Sequence, residues 1–360
     1  MKTLCTLLLL IIPILLLSNA GPESSGKIRL NQIQVIGSHN SYKIAIEKPL
    51  FDHLLKDKPA VSGLEYEHIS LTEQLNLGLR GLELDVFYDP EGGYYAHPKG
   101  LDMVKSLGAE PQPFDVEQKL QLPGLKVFHI QEIDFRSHQL LFKDALQELK
   151  KWSQDHGGHT PVIITINAKD GEIPNTRKPL PFTVQALRSI DAEIREVFNE
   201  EQLITPDRVR GNFKTLEEAV RTKGWPLLKE VKNRFLFVLD ESDEKINAYL
   251  SNFPDSKGAA LFVNKEEGNP DAAFRIINDP VGEFEKIKRL VASGYMVRTR
   301  ADADTREARK NDYKRFEMAQ SSGAQVITTD YYLPGKLFKS DYKVVFEKGL
   351  YERNRPDKNR

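Results

Sequence analysis

The sequence contains 360 residues, of which 29% are charged and 40% hydrophobic, and its formal net charge is −1. This balance excludes the strongly basic surface that nucleic-acid binding requires, and the composition is typical of a folded globular protein rather than a disordered one. The length suits one large α/β domain or two smaller ones.

The N-terminal residues 1–20 have the pattern of a secretory signal peptide. Lys2 precedes an apolar run over residues 7–17, and a short segment ending at Ala20 supplies a cleavage site. The run is shorter than a transmembrane helix, so we expect cleavage and secretion to the extracellular or periplasmic space, with a retained anchor as the alternative. Because Cys5 is the only cysteine, the mature chain is expected to lack disulfides.

Short β-type runs alternate with helical patterns along the rest of the chain. The strand candidates are residues 33–37, 81–87, 126–130, 162–167, 234–240, 260–264, 295–299 and 325–330, with 93–97 as a weaker competitor. Amphipathic helices are predicted at residues 139–154, 183–198, 216–222, 284–292 and 305–321. This alternation predicts an α/β fold, a (β/α)8 TIM-type barrel.

The predicted barrel is somewhat irregular, with long loops after its first and second strands. No clear helix separates the second candidate strand from the third, and residues 88–124 instead form a stretch rich in Gly, Pro and Tyr. We expect one domain over residues 21–345, followed by a polar tail over residues 346–360 that frays from residue 351.

The first strand candidate ends in a histidine and an amide, His39 and Asn40. In a barrel of this kind, catalytic groups gather at the carboxyl ends of the strands. The second strand also carries reactive side chains, since Glu83 and Asp85 alternate with apolar residues and therefore share one face. Structural explanations are also open: His39 in an ordinary turn, and Glu83 and Asp85 in a layer of ion pairs with nearby arginines such as Arg80.

Two carboxylates on one face repel each other unless a cation neutralises them. Oxygen ligands favour a hard ion, Ca²⁺ or Mg²⁺. Asn40 and Asn167, at the ends of two other strand candidates, can add neutral oxygens to Glu83 and Asp85. The sequence therefore predicts a divalent-cation site at this end of the barrel.

Further polar residues follow other strand candidates. They are Lys169, Arg298, Arg300 and, beside Asp330, Tyr331. Cations that converge on a metal-bearing pocket indicate an anionic ligand, most simply a phosphate, although each residue by itself is equally consistent with a solvated surface. Together they favour a phosphoester substrate.

Four segments together resemble the secreted, calcium-dependent phosphatidylinositol-specific phospholipases C of bacteria and fungi. They are GSHNSY at 37–42, GLELDV at 81–86, FHIQEIDFRS at 128–137 and TDY at 329–331. The resemblance runs from about residue 30 to residue 332, and the first two blocks in this order are its most specific part.

The resemblance implies a phospholipase C-like phosphodiesterase in which His39 is the general base, and Asn40, Glu83 and Asp85 bind Ca²⁺. The inositol 2-hydroxyl would attack its own phosphorus, releasing diacylglycerol and a cyclic inositol phosphate. A second histidine would be the general acid, with His97 slightly favoured over His129. Relatives often place a glutamate where this chain has Asn167, which weakens the expected calcium affinity.

Two other functions remain open from the sequence. A glycerophosphodiester phosphodiesterase shares the barrel but typically has His-Arg-Gly after the first strand, where this chain has His39, Asn40 and Ser41. A secreted barrel that binds phosphoinositides or glycans without catalysis is the second. For the phospholipase, we expect a monomer that contacts membrane surfaces transiently, through aromatic residues in 88–100 or through residues 43–68.

Overall fold

The chain forms a closed barrel of parallel strands surrounded by helices. The computed structural model describes residues 27–356. The strands are β1 (Ile33–Ser38), β2 (Gly81–Phe87), β3 (Lys126–Val127), β4 (Val162–Ala168), β5 (Phe235–Leu239), β6 (Leu261–Asn264), β7 (Ala272–Ile276), β8 (Met296–Arg300), β9 (Val326–Thr329) and β10 (Glu352–Asn354). The helices are α1 (Lys48–Asp57), α2 (Leu71–Leu77), α3 (Lys99–Ser106), α4 (Phe142–Asp155), α5 (Val184–Val197), α6 (Pro206–Arg210), α7 (Leu216–Thr222), α8 (Asp243–Leu250), α9 (Phe284–Ala292), α10 (Arg306–Lys310) and α11 (Lys314–Ser322).

Eight of these strands pair in parallel around the barrel, in the order β1, β2, β4, β5, β6, β7, β8 and β9. The ring closes where β1 meets β2 at one residue pair, Gly37 with Gly81. A Cβ atom on Gly37 would lie 2.6 Å from the Gly81 carbonyl oxygen, so the closing contact requires a glycine at position 37. The predicted (β/α)8 barrel is confirmed.

Two strands differ from the sequence prediction. The candidate at 126–130 is not a barrel strand, because β3 pairs antiparallel with the end of β2, outside the ring. Its place is taken by β7, which the sequence analysis missed because β7 follows β6 without an intervening helix. The competing run 93–97 forms turns rather than a strand.

The helices also differ from the prediction, which did not include α1, α2, α3, α6 or α8. The long loop after β2 contains α3, which the sequence analysis did not predict. The predicted helix over 305–321 is two helices, α10 and α11, since Asn311 between them adopts the left-handed conformation with φ of 53°.

The alternation along β2 places its side chains as the sequence predicted. Leu82, Leu84 and Val86 belong to the apolar cluster that includes side chains of α4 and α5. Glu83 and Asp85 point the opposite way and are buried on the lumen side, where they line a pocket with residues of β4 and β8. The barrel core therefore fixes the direction of both carboxylates.

Residues 352–354 form a strand where fraying was expected. Strand β10 pairs antiparallel with residues 33–35 of β1, on the side of β1 that β2 leaves open. The Ile36 amide also donates to the Tyr351 carbonyl oxygen at 2.7 Å. The prediction of a frayed end from residue 351 is therefore wrong for residues 352–354, because the unpaired edge of β1 supplies backbone partners.

Within residues 27–356, no helix is long and apolar enough to cross a membrane. The predicted signal peptide lies outside the described residues.

Candidate active site

A polar pocket of about 400 Å³ opens at the carboxyl ends of the barrel strands. It is lined by His39, Asn40, Glu83, Asp85, His129, Asn167, Lys169, Asp240, Asn278, Arg298 and Arg300. Nine of these eleven residues were singled out from the sequence alone. The structure brings them together from β1, β2, β4 and β8 and from the loop after β3.

His39 follows β1 and is held by a carboxylate. Its Nδ1 lies 2.8 Å from Asp330 Oδ1, and its Nε2 lies 3.3 Å from Arg300 Nη1 and 3.6 Å from Glu83 Oε1. Burial, followed by the nearby Arg300 guanidinium, lowers the pKa of His39 well below its usual value. The ring is therefore neutral near pH 7, with Nδ1 as donor and Nε2 as the proton acceptor.

Asp330 is fixed by groups on both sides. Arg300 Nη2 donates to its Oδ2 at 3.1 Å, and its backbone amide donates to Asp302 Oδ1 at 2.9 Å. Thr329 donates its hydroxyl to the other oxygen of Asp302. Burial, followed by the charge of Asp330, raises the pKa of Asp302. This network holds the Asp330 carboxylate, which orients the His39 ring.

His129 is held in a similar way in the loop after β3. Its Nδ1 lies 2.8 Å from Asp134 Oδ2, and Lys43 Nζ lies 2.8 Å from Asp134 Oδ1. Burial acts to raise the pKa of Asp134, but Lys43 and the hydrogen bond from His129 outweigh it and lower that pKa. An ionised Asp134 therefore fixes the ring and leaves Nε2 for the pocket.

Two predicted site residues do not line the pocket. His97 lies before α3 with 65% of its side chain exposed, and its Nε2 is 3.0 Å from the equally exposed Asp102. Tyr331 is buried against Phe338 and Tyr342 rather than facing the pocket. The structure thus brings His129, and not His97, together with His39.

The four predicted oxygen ligands all line the pocket. Asn40 has a left-handed φ of 48°, and its amide nitrogen donates to Tyr66 at 2.7 Å, which leaves its oxygen for a ligand. Asn167 lies opposite Asp85 in the register of β4 with β2. Its amide nitrogen is 3.4 Å from Glu83 Oε1.

Both carboxylates already have cationic partners. Arg298 donates from Nη2 to Glu83 Oε2, and Lys169 Nζ lies 3.2 Å from Asp85 Oδ2. Among the described residues, no group of three or more His, Cys, Asp or Glu side chains is arranged to hold a metal ion. The predicted ligand set contains only two carboxylates, because its other two members are amides. Its all-oxygen chemistry fits a hard cation.

Two residues of the pocket, Asp240 and Asn278, were not predicted from the sequence. Asp240 ends a predicted strand and was available as a candidate, and burial, with Arg298 opposing, raises its pKa to about 6. Asn278 follows β7, which was not predicted, so nothing in the sequence marked it; it accepts a hydrogen bond from Arg298. Asp134 and Asp330 lie in the quoted motifs, but only the structure shows which histidine each one holds.

The fold and the pocket together define a phosphodiesterase-type barrel. The structure of a calcium-dependent phosphoinositol-specific phospholipase C from a Pseudomonas species, a myo-inositol complex, is similar with a TM-score of 0.56 and 15% identity, over 92% of this chain and 96% of that one. A Ca²⁺-dependent phosphatidylinositol-specific phospholipase C from Streptomyces antibioticus has a TM-score of 0.53 and 16% identity, over 88% and 99%. At these identities the likeness concerns the fold.

The family model for Ca²⁺-dependent phosphoinositide phospholipase C matches residues 28–356. The chain therefore belongs to this family and is an enzyme, a phosphoinositide-specific phospholipase C. No curated protein matches the chain in sequence. The family match confirms the resemblance read from the motifs and favours it over the glycerophosphodiesterase and non-catalytic alternatives.

Proposed function

We propose that this enzyme cleaves phosphatidylinositol to diacylglycerol and a cyclic inositol phosphate by attack of the inositol 2-hydroxyl on the adjacent phosphorus. The observation that supports it is a pair of imidazoles, His39 and His129, that line one pocket with Nδ1 held by a buried carboxylate in each case. Such a pair supplies one proton acceptor and one proton donor.

In this mechanism, His39 Nε2 removes the proton from the 2-hydroxyl. The oxygen then bonds to phosphorus, and the bond to the glycerol oxygen breaks. His129 Nε2 donates a proton to that leaving oxygen, so His129 rather than His97 is the proposed general acid. An internal nucleophile needs deprotonation more than positioning, because it is already held beside the phosphorus.

The charges around the pocket suit an anionic centre. Arg300, Arg298 and Lys169 supply donors for the phosphate oxygens as charge develops. We propose Asn40, Glu83, Asp85 and Asn167 as the residues that hold Ca²⁺, which would lower the pKa of the 2-hydroxyl and neutralise phosphate charge when bound.

Phosphorus NMR of the products from phosphatidylinositol vesicles tests this proposal. We expect a cyclic phosphodiester resonance as the first product, slower formation in the presence of a calcium chelator, and a rate about 10²–10⁴-fold lower in His39→Ala. Circular dichroism of the variant would check that it folds. A linear phosphomonoester as the first product would contradict internal attack.

We also propose that the chain is secreted, on the basis of the signal-like pattern over residues 1–20. Expression in an export-competent host should yield an extracellular or periplasmic protein whose N-terminal sequence begins at Gly21. Retention in the cytoplasm with residues 1–20 intact would overturn this proposal.

We further propose a monomer that contacts the membrane transiently through the loop after β2. Tyr95 in this loop is buried against Phe87 and Phe128, so the suggested insertion of this tyrosine is not supported. Val116 in the same loop is 80% exposed and is the better candidate. Val116→Ser should reduce co-sedimentation with phosphatidylinositol vesicles, and undiminished sedimentation would exclude Val116 as the contact. Light scattering of the purified chain should report a monomer.

A further inference from the structure

The proposed calcium ligands are neutralised by the protein itself. Arg298 extends from β8 across the lumen to Glu83 on β2, and the two side chains are 2% and 5% exposed. Its other terminal nitrogen donates to Asn278. The guanidinium therefore lies in the barrel interior with one of the two ligand carboxylates as its direct partner.

The second carboxylate has a partner of the same kind. Lys169 Nζ lies 3.2 Å from Asp85 Oδ2, and Asp85 is 2% exposed. The ammonium of Lys169 therefore has the other ligand carboxylate as its direct partner. Both negative charges of the ligand set are thus compensated by side chains of this chain.

The remaining two ligands bring no negative charge. Asn40 and Asn167 are amides, and the Asn167 nitrogen is 3.4 Å from the oxygen of Glu83 that Arg298 does not contact. A cation that arrives at these oxygens meets two carboxylates and two fixed positive charges, a formal sum of zero. Calcium affinity follows the charge of the ligand set, so this arrangement opposes tight binding.

We propose that Arg298 and Lys169 are resident cations that compete with Ca²⁺ for Glu83 and Asp85, so that calcium binds weakly and only by exchange with them. The inference rests on the proposed ligand set. We expect a dissociation constant of about 10⁻⁴–10⁻³ M, the range of sites that work in calcium-rich surroundings.

Calorimetric titration of the purified full chain with CaCl₂ at pH 8 tests the competition without an activity readout. Arg298→Met removes the guanidinium and should tighten calcium binding at least about tenfold, and Lys169→Met should act in the same direction. Asn167→Glu adds a charge to the ligand set and should also tighten it. Lys169 is 35% exposed, so its variant remains informative if Arg298→Met does not fold.

Arg275→Met is the matched control. Arg275 is also buried and pairs with Glu266 Oε1 at 2.6 Å, but it does not line the pocket. Its variant removes the same charge and should change the calcium dissociation constant less than about twofold, because no proposed ligand is released.

Micromolar binding by the unmodified chain, the absence of binding by every variant, or equal effects of Arg298→Met and Arg275→Met would overturn the competition. The product analysis by phosphorus NMR is independent of this result. A chain that forms the cyclic product but shows unchanged affinity in the variants refutes only the competition. If the variants show the expected order of calcium affinities but the chain forms no cyclic product, the proposed reaction is refuted.

Discussion

The sequence offered two histidines as the partner of His39 and slightly favoured His97 over His129. The structure separates them by environment, because Asp134 and Lys43 are buried around His129 while His97 pairs with an exposed carboxylate. An exposed pair of this kind contributes little to holding a catalytic geometry.

This difference predicts the outcome of two substitutions. His129→Gln removes the proposed proton donor and should lower kcat about 10²–10⁴-fold, whereas His97→Gln should leave kcat within about twofold. Steady-state rates on phosphatidylinositol measure both. A large loss in His97→Gln with near-normal activity of His129→Gln would reverse the assignment.

The buried side chain of His68 should make the folding stability depend on pH. Its Nε2 donates to the His39 carbonyl oxygen at 2.7 Å, and its ring stacks on Tyr332. Burial lowers the pKa of His68 to about 4 from 6.5. Between these values the unfolded chain binds a proton that the folded chain does not, so stability falls as pH falls through this window.

The expected size follows from the same values. Lowering the pH from 7 to 5 should cost about 2 kcal/mol of unfolding free energy through His68, and His68→Gln should remove that part of the loss. Urea unfolding at both pH values provides the measurement. An equal loss in the variant and the unmodified chain would show that His68 does not contribute.

At the scale of elements, the barrel depends on a very close contact between two strands. The α-carbons of Gly37 and Gly81 face each other where β1 joins β2, with no room for a side chain on Gly37. The same junction positions His39 two residues further on. Stability and site geometry are therefore coupled at this point.

Gly37→Ala should destabilise the protein by at least about 2 kcal/mol, because the added methyl group forces the two strands apart. Gly157 is the control, since a Cβ there meets nothing within 4 Å, and Gly157→Ala should be nearly neutral. Thermal or urea unfolding would compare them. Equal stability of the two variants would mean that the closing contact tolerates displacement.

Elements were predictable where local pattern decided them. The bounds of α7 and α9 match the predicted ranges 216–222 and 284–292, because each helix has an apolar face of helical period. The run that contains β3 was wrongly predicted as a barrel strand, and β7 was not predicted at all. A short apolar run carries no information about its pairing partner. Pairing is decided by which edges are open in the folded sheet.

Over the whole molecule, the two ends of the described chain meet. Strand β10 covers the edge of β1, and the Tyr351 hydroxyl donates to the Tyr332 carbonyl oxygen at 2.9 Å. Strand β10 thus ties residues 352–354 to β1, the strand that leads into the active site.

Truncation after residue 346 should therefore lower the unfolding free energy by about 2 kcal/mol, through loss of the strand pairing and of half-buried Tyr351. Removal of residues 357–360 alone is the control and should have little effect. Urea unfolding midpoints of the two truncated chains would decide, and equal midpoints would contradict a stabilising role for β10.

The sequence by itself determined the barrel class, the family resemblance and the common face of Glu83 and Asp85. These follow from short-range periodicity and from the motifs, which require no knowledge of distant neighbours. Only the tertiary structure decided that His129 joins His39, that Asp330 and Asp134 hold them, and that Arg298 reaches Glu83. Apart from His129 with Asp134, which lie in one loop, these contacts join residues from separate strands and loops. A linear pattern shows which way a side chain points on its own strand but not what lies across the lumen.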